Sequence, residues 1–128
     1  TIVLGQAEGR YHETWQLVLE AQQAAVRGLR PGMTGVEADA LAREVFERAG
    51  RTEQFGHGLG HGVGLQIHED PRMGRLAGEH VLKPGMVVTV EPGLYLPGWG
   101  GVRIEDVVVV REAGVEVLTQ AAKEPVIG

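Results

Sequence analysis

Cysteine is absent from this 128-residue chain. Its absence excludes disulfides, thiolate metal sites and a cysteine nucleophile, and it suits a reducing cytoplasm. Excess positive charge is missing too: 12 Lys and Arg stand against 17 Asp and Glu, for a net charge of −5. No basic surface is therefore offered to nucleic acid or anionic lipid, and the mild acidity favours solubility. No apolar run approaches the ~20 residues that a membrane-spanning helix needs, and no signal-peptide pattern opens the chain. What is plentiful is glycine, with 20 residues, about twice the usual frequency. An apolar share of 43% over 128 residues suits one soluble domain with one sizeable core. The first residue is Thr1 rather than methionine, as in a processed protein or a fragment.

Periodicity divides the chain. Residues 1–4 are a short β-prone run ended by Gly5. Across residues 11–29, Leu17, Val18, Ala21, Ala24, Ala25 and Gly28 recur at the helical period with Glu and Gln between them. Pro31-Gly32 closes that helix. Thr34 is placed to cap a second one, with Glu37 three residues on completing a capping box. This helix runs to about Ala49 with Val36, Ala40, Leu41, Val45 and Phe46 on its apolar face, and Gly50 ends it. Beyond Gly50 the pattern is extended, with β-rich runs at 81–82, 86–90, 102–110 and 115–118. Two helices followed by several strands predict an α+β fold, an antiparallel sheet covered by helices.

Two constellations could carry chemistry. From Gly56 to Gly64 glycine occupies every second position, and at ~1 kcal/mol each against alanine these residues exclude a helix. Extended, the segment puts His57, Leu59, His61 and Val63 on one face and leaves the other as bare backbone open to close approach. His68 follows seven residues after His61. Three histidines within twelve residues on such a segment point to a site. His12 and His80 have no partner pattern and read as solvated. The second constellation is Glu91 with Glu105. A hairpin centred on Gly98 sets them opposite each other, where like charges destabilise unless a proton, a cation or a metal intervenes. Arg103 could be that cation in a plain salt bridge. With His61 also available, a divalent ion suits the same groups, and imidazole with carboxylate fits zinc, manganese or cobalt.

Three segments together resemble the pita-bread metallopeptidases. They are Gly-His-Gly-Leu-Gly-His-Gly-Val-Gly-Leu with His68-Glu69, Lys-Pro-Gly-Met-Val-Val-Thr-Val-Glu-Pro-Gly-Leu-Tyr, and Gly-Gly-Val-Arg-Ile-Glu-Asp. Within that group the chain is most similar to the Xaa-Pro dipeptidases (prolidases) and Xaa-Pro aminopeptidases. The likeness extends over the helices, through Arg-Pro-Gly-Met-Thr and Glu-Ala-Asp-Ala-Leu-Ala-Arg.

The resemblance implies a truncated pita-bread fold, with two helices on a curved antiparallel sheet. Residues 1–128 would be the C-terminal part of a metallopeptidase catalytic domain. It further implies two divalent ions (manganese, cobalt or zinc) that activate water against the Xaa-Pro bond of a peptide or dipeptide with proline second. His61 and Glu91 match ligands of one metal, and Glu105 matches the carboxylate bridging both. His57 matches a histidine on the proline side of the pocket. His68 matches one that donates to substrate or shuttles a proton, and Arg103 one that orients ligand or substrate. Tyr95 belongs with the substrate-binding residues.

The family's two aspartate ligands lie just upstream of Thr1. On that basis the chain alone is expected to hold one metal weakly or none, to hydrolyse nothing, and to associate as a homo-oligomer through exposed apolar surface. Two other readings are a non-catalytic peptide- or protein-binding module of the same fold and a metal-free creatinase-like hydrolase. Retention of all three presumptive ligands argues against both.

Overall fold

A computed structural model describes residues 1–128. Its elements are β1 (Val3–Leu4), α1 (Gly9–Gly28), α2 (Gly35–Arg48), a short 3-10 turn (Thr52–Gln54), β2 (Gly60–Gly62), β3 (Glu69–Met73), β4 (Val87–Val90), β5 (Gly93–Leu96), β6 (Gly100–Arg103), β7 (Asp106–Arg111), β8 (Gly114–Val117) and β9 (Val126–Ile127). None of the helices is long and apolar enough to cross a membrane.

The predicted capping box is present. The Glu37 amide donates to Thr34 Oγ1 at 3.2 Å, and the Thr34 amide donates to Glu37 Oε2 at 2.7 Å. These bonds satisfy end groups that the α2 ladder leaves free and draw the Glu37 carboxyl below its ordinary range. The buried stripe of α2 is rotated from the expected one. Ala38, Ala42, Val45 and Phe46 face the core, whereas Val36 is exposed and Ala40 and Leu41 lie at the margin. The reason is that Asp39 and Arg43 face inward as a mutually neutralising pair, which a hydrophobic pattern scores as surface.

On α1, Val18, Ala21 and Ala25 are buried as expected, joined by Tyr11 and Trp15. Gln22 is also buried and donates to Asp106 Oδ2 at 2.6 Å, while Lys123 Nζ donates to Oδ1 of the same carboxylate at 2.9 Å. A buried Asp106 is thereby satisfied.

The main sheet has the order β3-β2-β4-β7-β8, antiparallel throughout. Its inner face and the two helices enclose one cluster of 22 buried apolar residues. The hairpin turns at Gly98, whose φ of +75° suits glycine. Its β5–β6 ladder pairs Leu96↔Gly100 through Gly93↔Arg103, and the β4–β7 ladder resumes at Val90↔Asp106. Two residues separate the ladders on each strand, so one register runs through both and is centred where the sequence predicted.

The expected strand 102–110 is interrupted at Ile104–Glu105. Its partner there is Pro92, which has no amide to donate and only accepts from the Ile104 N–H at 3.4 Å. Residues 81–82 form no strand. Val81 makes an isolated bridge to Thr34, and Leu82 exchanges backbone bonds with Met33 and Gly32, tying the helix connection to the sheet. The opening run pairs in parallel with β9, Val3↔Val126, a partner the sequence did not suggest.

The glycine-bare backbone is approached as anticipated. A methyl group at Gly60 would overlap the Thr89 carbonyl oxygen, and one at Gly62 the Asp70 carbonyl oxygen. At Gly56 nothing lies within 4 Å. Gly60→Ala is therefore expected to destabilise the fold by about 1–3 kcal/mol, whereas Gly56→Ala should stay within about 0.5 kcal/mol. Urea denaturation of the two variants checks this, and equal losses would contradict the close-approach account.

Candidate active site

A cavity of about 730 Å³ opens beside the glycine-rich segment. His57 and His61 enter it from that segment, His68 and Arg72 from the edge of the sheet, and Glu91 and Arg103 from the hairpin strands. Arg43 comes from α2 and Arg75 from the loop after β3. Few of its lining residues are apolar.

Backbone bonds set the positions of His61 and Glu91. Thr89 Oγ1 accepts from the His61 amide at 3.0 Å and donates to Glu91 Oε1 at 2.9 Å. The Glu91 amide donates to the Leu59 carbonyl at 2.8 Å. These bonds bring His61 Nε2 to 3.0 Å from Glu91 Oε1, with both side chains about one-tenth exposed. His61 Nδ1 lies 2.9 Å from the Gly62 carbonyl, which selects the tautomer with hydrogen on Nδ1. Nε2 faces a carboxylate oxygen, and the contact closes either with a second proton on the ring, as an ion pair, or with a cation held by both atoms. With the cation, this pair fits one side of a metal cradle. The other carboxylate oxygen, Oε2, lies 3.0 Å from Arg103 Nη1. The Arg103 salt bridge anticipated as one alternative thus occupies one oxygen, and His61, the fellow ligand of the other alternative, faces the second.

Glu105 does not join them. It sits at the register position matching Glu91, but its side chain is exposed, lines a separate cavity of about 210 Å³ and makes no ion pair. No group of three His, Asp or Glu side chains converges enough to hold a metal ion. Of the three groups expected to converge, His61 and Glu91 meet and Glu105 stands apart from them. Arg103 already compensates Glu91, and a second carboxylate with no free cation facing it is better solvated in water.

The expected shared face of the glycine-rich segment also needs correction. Leu59 is fully buried in the core, while His57 and His61 line the cavity. The backbone bends at His57 and at Leu59 before β2 begins, and each bend breaks strict strand alternation.

His57 is wedged edge-on against Phe55 and Tyr95, with ring centroids 4.9 and 5.6 Å away. Its Nδ1 is 2.7 Å from the Gly58 carbonyl and its Nε2 3.4 Å from Arg103 Nη2, which donates. Desolvation holds its pKa below that of a free histidine. The Arg103 and Arg43 charges act in the same direction, against the opposing Gly58 bond and Glu91 charge. His68 is exposed, and its ring is tilted against His61 at 4.4 Å. Tyr95 is partly exposed beside His57, with the Arg103 guanidinium 5.7 Å from its ring. His12 and His80 lie on the surface as expected.

Sequence reasoning missed Arg43, Arg72 and Arg75 as lining residues, and Asp39 behind Arg43. The i, i+4 spacing of Asp39 and Arg43 was the available signal for that pair. Nothing local marked Arg72 or Arg75.

Residues 1–112 match the family model of Metallopeptidase family M24. The Xaa-Pro dipeptidase of Pyrococcus furiosus is 50% identical over 124 residues, covering 97% of this chain and 35% of that protein. Among solved structures, an Xaa-Pro dipeptidase from Bacillus anthracis superposes with a TM-score of 0.94 at 48% identity, covering 98% of this chain and 36% of that one. An X-Pro aminopeptidase from Thermotoga maritima gives 0.92 at 40% identity, covering 98% and 36%. The expected pita-bread architecture, in truncated form, is that of these neighbours. The chain spans about 35% of the length of the relatives it matches.

The depressed His57 pKa has a consequence with a definite sign. As pH falls through the range of a free histidine, about 6.5, the unfolded chain takes up a proton at this position before the folded chain does. Stability is therefore retained above that range and lost below it. Imidazole NMR should place the His57 midpoint below the free value, and His57→Gln should lose less melting temperature than the parent between pH 7.5 and 5.5. A midpoint at or above the free value would contradict the burial argument.

Proposed function

The chain belongs to metallopeptidase family M24, and from that membership and the facing of His61 and Glu91 we propose that it forms one wall of the active site of an Xaa-Pro peptidase. The single observation supporting this most directly is the facing of His61 Nε2 and Glu91 Oε1, 3.0 Å apart in a polar cavity. On this reading His61 and Glu91 hold one divalent ion, and manganese, cobalt and zinc suit these nitrogen and oxygen donors. Such an ion supplies an acidified water and polarises the scissile carbonyl.

The chain's own residues do the rest. Glu105, exposed at the register position opposite Glu91, would turn toward it to serve as a further carboxylate ligand. Ligands beyond these three come from outside residues 1–128, which form the C-terminal part of the catalytic domain. His57, uncharged near neutral pH and set between Phe55 and Tyr95, lines the side that takes the proline ring. His68 stands at the mouth beside His61, placed to donate to substrate or pass a proton. Arg103 holds the second Glu91 oxygen and orients that ligand.

The substrate is a peptide or dipeptide with proline second. Arg72 and Arg75 add positive charge to the same cavity, which favours a short substrate whose carboxylate lies within it, and hence a dipeptidase. The cysteine-free composition fits action in the cytoplasm. Leu65, Ile67 and Leu76 stand exposed near His68 and Leu76 reaches the cavity wall, a surface suited to association with a second copy.

The protein expressed from its complete coding sequence and supplied with manganese is expected to release proline from Ala-Pro. His61→Ala and Glu91→Gln should each lower kcat/KM at least about 100-fold. Absence of Xaa-Pro hydrolysis by the parent across manganese, cobalt and zinc would overturn the assignment. Residues 1–128 alone should release no proline under the same conditions, and measurable turnover by them would refute the statement that further ligands are needed.

A further inference from the structure

We propose that the buried Asp39–Arg43 pair is a positioning device for the site, holding the backbone of residues 55–59 so that His57 and His61 meet Glu91 and Arg103. This rests on reading the cavity as the active site. An i, i+4 ion pair usually lies on a helix surface and contributes little. Here the two side chains are 2% and 9% exposed, and Arg43 lines the cavity.

The pair's bonds leave the helix. Arg43 Nε and Nη2 donate to the two Asp39 oxygens at 2.6 and 3.1 Å. Nη1 donates to the Phe55 carbonyl at 3.2 Å and Nη2 to the His57 carbonyl at 3.0 Å. Asp39 Oδ1 accepts from the Leu59 amide at 2.9 Å. Every second residue of the segment is thus gripped by its backbone. The residues between them, Gly56 and Gly58, have no side chain with which to anchor it. Lysine in place of Arg43 cannot reproduce this fork, because one ammonium cannot reach both carbonyls and both carboxylate oxygens in a plane.

The grip passes to the metal-facing residues in two bonds. Asp39 holds the Leu59 amide, and the Leu59 carbonyl holds the Glu91 amide. One residue beyond Leu59 the chain enters β2, where the His61 amide reaches Thr89. The clamp therefore sets the register between the strand bearing His61 and the strand bearing Glu91. The bonds of Asp39 and Arg43 end on each other and on backbone atoms, so their contribution is positional.

The test uses the full-length protein with saturating manganese, comparing Arg43→Lys and Asp39→Asn with Val45→Ala, a buried α2 change outside the cavity lining. For the two clamp variants kcat on Ala-Pro should fall about 10–100-fold with KM within about threefold. The Leu59 amide should lose hydrogen-exchange protection at least about tenfold while Val108 and Val110 keep theirs. Val45→Ala should lower the melting temperature without that kcat loss. Equal effects of all three on kcat, or loss of protection spread evenly through the sheet, would reduce the pair to a stability element and overturn the proposal. If Asp39→Asn does not fold, Arg43→Lys alone decides. If the parent hydrolyses no Xaa-Pro substrate, the functional reading fails while the clamp is still judged by Leu59 exchange and the His57 and His61 imidazole signals. Unmoved signals in the clamp variants would overturn it.

Discussion

The site depends on how closely β2 lies against its neighbours, and that closeness is possible only because alternate residues carry no side chain. At Gly60 the Thr89 carbonyl occupies the space a methyl would take, and at Gly62 the Asp70 carbonyl does the same. With the strands this near, the Thr89 hydroxyl reaches both the His61 amide and the Glu91 carboxylate. The imidazole and the carboxylate are then held face to face by covalent and hydrogen-bonded geometry that owes little to their own attraction. Preorganisation of this kind is what a metal or a substrate requires, since the cost of assembling the groups is met during folding.

Much of this was legible from local rules, and the failures share a cause. The α2 start could be read because Thr34 and Glu37 satisfy specific amides at a fixed spacing. The hairpin register could be read because Glu91 and Glu105 are equidistant from Gly98, and a two-residue period leaves no freedom once the centre is known. What escaped was set by residues far apart in the chain. Leu59 turned into the core because Asp39 on α2 holds its amide and Glu91, just beyond β4, holds its carbonyl. Asp39 and Arg43 carry charges that a hydrophobic pattern assigns to a solvated helix face, and only their mutual neutralisation and the carbonyls of the next segment place them inside. The parallel β1–β9 pair joins the two ends of the chain, and no local pattern announces such a contact. The break at Ile104–Glu105, by contrast, could have been found, since the same register that pairs Glu91 with Glu105 pairs Ile104 with Pro92.

Glu105 marks the boundary between fold and function in this molecule. Backbone register sets it opposite Glu91, so the fold specifies its position. Its side chain turns to solvent because Glu91 is already served by His61, Thr89 and Arg103, and a second carboxylate brought beside it would add repulsion without a counter-charge. A divalent cation between the strands would reverse that balance, since it would give both carboxylates the counter-charge that the guanidinium gives to Glu91 alone. Arg103 holds Glu91 through Oε2, the oxygen that His61 does not face, so the bridge keeps that carboxylate turned toward the imidazole.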